Sequence, residues 1–152
     1  MFLALFEPDI PQNTGSMLRL AACMGVGLHI IEPCGFPLDD KRLRRVSMDY
    51  YDLAPITRHA SWQGFLDEYQ DKKKIRIVLL TTHATQYHTD FEFQPDDILL
   101  FGRESSGVPQ QVRDTVDASV KVPMAQGARS LNLVQAASMV LGEALRQTKG
   151  FP

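Results

Sequence analysis

The chain has 152 residues, a length that fits one domain and needs no disulfide or metal staple to hold a core. Hydrophobic residues make up 44% and charged residues 22%, which excludes a disordered or fibrous chain. The net charge of −2 argues mildly against a nucleic-acid partner. The two cysteines, Cys23 and Cys34, fit free thiols in a reducing cytoplasm. The apolar start, Phe2 to Phe6, ends at Glu7-Pro8 and is too short for a signal peptide or a membrane span.

In chain order, Phe2-Leu-Ala-Leu-Phe6 reads as a short buried strand, followed by a polar loop through Gln12. The pattern predicts a helix from about Asn13 to Met24, with Asn13 as its cap, and then a strand over Leu28–Glu32. Pro33-Cys-Gly-Phe-Pro37 is a turn. Asp39 or Asp40 caps a short basic helix through Val46. It carries Lys41, Arg42, Arg44 and Arg45, which form either a solvated face or a patch for an anionic partner. Asp90, Glu92, Asp96 and Asp97 make an acidic block elsewhere.

Trp62, Phe65, Leu66 and Tyr69 recur at helical spacing within Ser61–Tyr69. Ile75–Thr82 and Ile98–Phe101 are apolar strands, Val108–Thr115 is a short helix, and Ala118–Val122 is a strand that stops at Pro123. The last helix runs from about Asn132 to Thr148. Unbroken apolar strands alternating with helices predict an α/β fold, a mostly parallel sheet flanked by helices, in one domain over residues 1–152. In such sheets ligands sit beyond the carboxyl ends of the strands, so the loops after Phe6, Leu80, Phe101 and Val122 hold the candidates.

The first is Pro11-x-Asn13-x-Gly15-x-x-x-Arg19. Arg19 is the only formally charged residue between Ile10 and Ile31, with small neighbours Gly15, Ser16, Ala22 and Cys23 at helical spacing. A partly buried arginine is expected there, paired with an anionic ligand or with Glu7 or Asp9. The second is Phe101-Gly-Arg-Glu-Ser-Ser-Gly107, whose glycines either admit a flat ligand or make turns. The third runs from Val122-Pro-Met124 through Gln126-Gly-Ala-Arg-Ser-Leu-Asn132, with Asn132-x-x-Gln135 as a capping pair. Gly25-Val-Gly-Leu-His-Ile30 lacks a third glycine and follows a helix, so it is no dinucleotide fingerprint. The four histidines have no metal-ligand spacing with the cysteines, and no metal is expected.

The three loops in this order resemble the three motifs of the SPOUT superfamily of RNA methyltransferases. Within it, Leu5-Phe-Glu-Pro-Asp-Ile-Pro-Gln-Asn-Thr-Gly15, His29-Ile-Ile-Glu-Pro33, Gly35-Phe36, Asp39-Asp-Lys-Arg-Leu-Arg-Arg45 and Asp49-Tyr50 are similar to the bacterial tRNA wobble-position ribose methyltransferases. The resemblance implies a SPOUT fold with a C-terminal trefoil knot and a cytoplasmic homodimer with active sites built from both chains. It implies S-adenosylmethionine as cofactor, held near Leu80, Gly102, Val122, Ser130 and Leu131.

The implied substrate is the ribose 2′-OH of nucleotide 34, cytidine or modified uridine, in leucine tRNAs. Asn13, Arg19, Glu104, Ser130 and Asn132 match the family's functional polar positions, with Glu104 expected to position Arg19 or the cofactor. Lys41, Arg42, Arg44, Arg45, Arg103 and Arg129 are the expected RNA contacts. Two positions depart from the relatives: Gly142 stands where they often carry tyrosine, and Arg103-Glu-Ser-Ser106 where they often have Pro-Glu-Thr-Arg. Two other readings stay open: a SPOUT 2′-O-methyltransferase for another tRNA or rRNA position, and a nucleotide-binding α/β module without catalysis.

Overall fold

The computed structural model describes residues 1–38, 45, 50, 53–69 and 75–152. Seven strands form one sheet: β1 (Phe2–Phe6), β2 (Gly27–Ile31), β3 (Ile56–His59), β4 (Ile77–Leu80), β5 (Gln86–Tyr87), β6 (Ile98–Phe101) and β7 (Ala118–Lys121). Their order is β3-β2-β1-β6-β4-β7-β5, and every pairing is parallel. The helices are α1 (Pro11–Cys23), α2 (Trp62–Tyr69), the single turn α3 (Gln110–Arg113) and α4 (Leu133–Thr148).

The strands read as unbroken apolar runs because both faces of the sheet are covered. Side chains alternate across the pleat. Leu3 and Leu5 of β1 therefore join Met17 and Leu18 of α1 and Val140 and Leu141 of α4 on one face. Ala4 and Phe6 join Phe65 and Leu66 of α2 and Val112 of α3 on the other. α1 packs on α4, so the first and last helices share one layer.

The chain leaves β1 toward β2 and β3 on one side, then returns to build β6, β4, β7 and β5 on the other. The order reverses between β1 and β6, and a crevice opens beyond their carboxyl ends.

Two strands depart from expectation. β3 (Ile-Thr-Arg-His) is an edge strand with Thr57 and Arg58 exposed, so it shows no apolar run. β5 is two exposed residues paired on β7, too short to give a period. α1 begins at Pro11, not at Asn13, because proline suits the first helical turn, where its missing N–H is not needed. Ile10 is the cap residue, and Asn13 is left inside the helix with its side chain free for other partners. α4 starts as expected: Asn132 Oδ1 accepts from the amides of Val134 and Gln135, at 2.9 and 3.4 Å.

The acidic block is not one surface. Asp97 is fully buried and takes a bidentate bond from Arg76, with both distances 2.8 Å. The basic helix expected over residues 39–46 lies outside the described residues apart from Arg45, which is exposed.

Candidate active site

Four loops meet at the crevice. After β1, Glu7 takes a left-handed φ of 43°, turning the chain so that Asp9 faces the loop after β6. That second loop closes on itself: Arg103 and Gly107 exchange backbone hydrogen bonds of 3.0 and 2.8 Å. Gly102 is required there, since a Cβ would stand 2.6 Å from the Gly107 carbonyl carbon. Gly107 itself has φ +69°.

Asp9 and Glu104 clasp the two loops. The Asp9 amide donates to Glu104 Oε2 at 3.1 Å, and the Glu104 amide donates to Asp9 Oδ1 at 3.2 Å. The Ser105 hydroxyl donates to Asp9 Oδ2. Asn13 Nδ2 donates to Glu104 Oε1 at 3.0 Å, and Asn132 Nδ2 donates to Asn13 Oδ1 at 3.2 Å. A chain of hydrogen bonds thus runs from the β6 loop through α1 to the cap of α4. Asn13 can join it because the helix does not use it as a cap.

The hydrogen bond with Glu104 holds the Asp9 carboxyl down at about 2. Burial, followed by the bond with Asp9, pushes the Glu104 carboxyl above its ordinary value. Of the two carboxyls, Asp9 is the one that stays ionised as pH falls. Arg103 lies beside them, with Nη1 3.3 Å from Glu7 Oε2 and Nε 3.8 Å from Asp9 Oδ2.

The cleft beside this clasp has a volume of about 520 Å³ and is lined by Asn13, Gly102, Glu104, Ser130 and Asn132, among others. A second cavity of about 110 Å³ shares Leu80, Thr81, Thr82, Ser130, Leu131 and Leu133 with it. Val122, Met124 and Ala136 complete that second, mainly apolar wall. Leu80, Val122, Ser130 and Leu131 therefore border one pocket, with Gly102 on its polar extension.

Two expectations are corrected. Arg19 is exposed, and Glu7 and Asp9 pair with Arg103 instead. Arg19 lies outside the cleft of its own chain, its guanidinium carbon 4.7 Å from the centroid of the Tyr50 ring. Glu104 holds Asn13 and the Asp9 amide; both its oxygens are engaged, and it does not hold Arg19.

Among the expected RNA contacts, Arg103 is occupied by the two carboxylates. Arg45 and Arg129 are exposed, and Lys41, Arg42 and Arg44 lie outside the described residues. Sequence reasoning missed Asp9 as a clasp, Arg113 as a cleft residue and Tyr50 as Arg19's neighbour. Only Asp9 carried a usable signal, as an acidic residue in the loop after a buried strand.

A parallel sheet with polar side chains from three of its carboxyl-end loops around one cleft is the ligand-binding arrangement of α/β proteins. Residues 1–142 match the model of the SpoU rRNA Methylase family, and the chain belongs to that family. It is 56% identical over 95% of its length, and 90% of the relative's, to the tRNA (cytidine(34)-2′-O)-methyltransferase of Beijerinckia indica. It is 52% identical, over 98% of its length and 94% of the relative's, to the protein of that name from Ancylobacter novellus.

A solved structure concerned with 2-OH methylation of C/U34 on tRNA superposes with a TM-score of 0.89 and 36% identity, covering 96% of this chain and 94% of that one. The SpoU methyltransferase AviRb of Streptomyces viridochromogenes, in complex with AdoMet, superposes with a TM-score of 0.87 and 30% identity, over 97% of this chain and 57% of its own.

Proposed function

We propose that the chain transfers a methyl group from S-adenosylmethionine to the ribose 2′-OH of nucleotide 34, cytidine or modified uridine, in leucine tRNAs. The observation that carries this reading is the meeting of Asn13, Glu104, Ser130 and Asn132 beside a cleft that continues into an apolar pocket. The names of the near full-length relatives support the position, and an AdoMet-bound neighbour supports the cofactor.

The residues fit that cofactor. Leu80, Val122, Leu131 and Ala136 offer apolar walls to a flat base, and Gly102 keeps the polar loop tight, where a Cβ would collide with Gly107. When bound, the cofactor supplies a methyl group on a positively charged sulfur. The protein's task is orientation, because in-line transfer needs the oxygen about 3 Å from the methyl carbon. Ser130 and Asn132 orient the ribose hydroxyls, while Glu104 fixes Asn13 and, through it, Asn132. Arg19 acts as a planar fork on the ribose and its phosphate, lowering the pKa of the hydroxyl. A guanidinium carries donors and no acceptor, so Arg19 is not the base, and the hydroxyl proton passes to the phosphate or to water.

Arg19 lies outside its own chain's cleft and serves the cleft of a second copy. The proposed dimer face joins Ser16, Arg19 and Cys23 on α1 to exposed Met139 on α4. The proposal includes a trefoil knot formed by the C-terminal segment. It also places the enzyme in the cytoplasm; no described helix is long and apolar enough to cross a membrane. Arg45 and Arg129, with Lys41, Arg42 and Arg44, contact the tRNA. The test is labelled-methyl transfer to total tRNA with mapping of the product. A label at nucleotide 34 of leucine tRNAs supports the reading, and a label at another position or in rRNA overturns it.

A further inference from the structure

The two cavities share six residues and so form one bipartite cleft, apolar at one end and polar at the other. Its polar part is lined by two arginines and one carboxyl: Arg103, Arg113 and Glu104. Two of them are engaged within the protein, although the buried Arg103 Nε has no hydrogen-bond partner among the described residues. Arg103 faces the carboxylates of Glu7 and Asp9. Glu104 has each oxygen engaged, by the Asn13 amide group and the Asp9 backbone.

Arg113, at the end of α3, is half-buried and different. Its Nε donates to the Val108 carbonyl at 3.2 Å, which anchors the guanidinium to the turn it follows. Among the described residues no carboxylate pairs with it, and its two terminal nitrogens have no protein acceptor. A half-buried arginine anchored on one edge leaves a fork of donors suited to a carboxylate or phosphate.

A ligand with a flat base at the apolar end carries its other groups into the polar end. We propose that Arg113 is the subsite for the carboxylate of the cofactor's amino-acid tail. This rests on the S-adenosylmethionine reading above. On that reading Glu104 offers the cleft its acidic wall, and Arg113 supplies the opposing positive one. The tail, which carries both charges, is then oriented by the two together.

The test pairs a protein change with a ligand change. Calorimetry compares S-adenosylhomocysteine with its carboxamide, which has the same shape and no carboxylate, on wild type and on Arg113→Gln. Wild type is expected to bind the carboxamide about tenfold or more weakly, since a charge-assisted bond contributes about that factor. Arg113→Gln should bind both compounds alike, near the wild-type affinity for the carboxamide, with tRNA affinity and its salt dependence unchanged.

The wild-type comparison stands even if the variant does not fold: equal binding of the two ligands by wild type overturns the assignment. Equal loss of both ligands in a folded Arg113→Gln gives the arginine a packing role and also overturns it. Unchanged S-adenosylhomocysteine binding with weaker, less salt-sensitive tRNA binding would make Arg113 a phosphate contact instead. If wild type binds neither compound, the cofactor reading itself fails, an outcome distinct from the other three.

Discussion

The Arg19 guanidinium carbon stands 4.7 Å from the centroid of the Tyr50 ring, and Tyr50 packs in turn against the core that α1 and α4 share. An exposed arginine on a rigid helix would otherwise sample many rotamers. A cation over an aromatic face, backed by the core, limits that freedom. The prediction is that Arg19→Lys lowers single-turnover methylation by about two orders of magnitude while cofactor affinity holds, because lysine keeps the charge and loses the planar fork. Tyr50→Leu should lower turnover in the wild-type background and have no further effect on Arg19→Ala. Tyr50→Phe should keep near-normal turnover. Near-normal turnover in Arg19→Lys would show that charge alone suffices.

Glu104 and Asp9 pull stability in opposite directions with pH. Burial raises the Glu104 carboxyl above its ordinary value. The folded chain therefore holds that proton longer, and this contribution is full at low pH and lost as pH rises through the raised value. Asp9, lowered to about 2, stabilises above its unfolded value, and that contribution is lost as pH falls toward about 2. Glu104→Gln removes the first contribution and keeps an acceptor for Asn13. Thermal melts should show the variant gaining on wild type steadily as pH rises from acid to neutral. A difference that does not change with pH would contradict the assignment.

On the opposite face of the sheet, His29 Nδ1 and His59 Nε2 are 3.0 Å apart, and the Tyr69 hydroxyl is 3.2 Å from His29 Nε2. Burial lowers the His59 pKa, with Glu68 opposing it. A base lowered in the fold contributes stability that is full above its unfolded value, about 6.5, and lost as pH falls through the lowered one. Melting temperature should therefore drop as pH falls from neutral through the lowered value. The drop should be shallower in His59→Gln, measured by circular dichroism. An equally steep drop in the variant would place the sensitivity elsewhere.

How much of this was legible beforehand depended on burial. β1 and β6 are unbroken apolar runs covered on both faces, so their limits could be read directly. β3 and β5 lie at the sheet's two edges, where exposure erases the pattern. Asn132 read as a cap and is one, because capping is local. Asn13 read as a cap and is not, because proline two residues earlier already starts the helix. Arg19 looked buried because its neighbours are small. Small neighbours on an outward face equally suit an assembly surface, and one chain's sequence does not separate the two cases. The Asp9–Glu104 clasp joins residues 95 positions apart, a pairing no local pattern encodes.

The β6 loop offers two glycine tests with different physics. In Gly102→Ala the new Cβ would stand 2.6 Å from the Gly107 carbonyl carbon, an overlap expected to cost about 1–3 kcal/mol and to open the clasp. At Gly107 there is open space, but φ is +69°, so Gly107→Ala should cost only about 1–2 kcal/mol through the left-handed backbone. Urea denaturation gives both values. S-adenosylhomocysteine binding should suffer more in Gly102→Ala. The reverse order would contradict the role given to this loop.

If the 2′-oxygen of nucleotide 34 is the methyl acceptor, removing that one atom from the RNA abolishes transfer. Leucine tRNA is prepared with one 2′-deoxy sugar, at position 33, 34 or 35 in turn, and methyl transfer from labelled S-adenosylmethionine is measured for each. No transfer is expected to the tRNA deoxygenated at 34, and near-normal transfer to the other two. Continued methylation of the 34-deoxy tRNA would contradict that assignment.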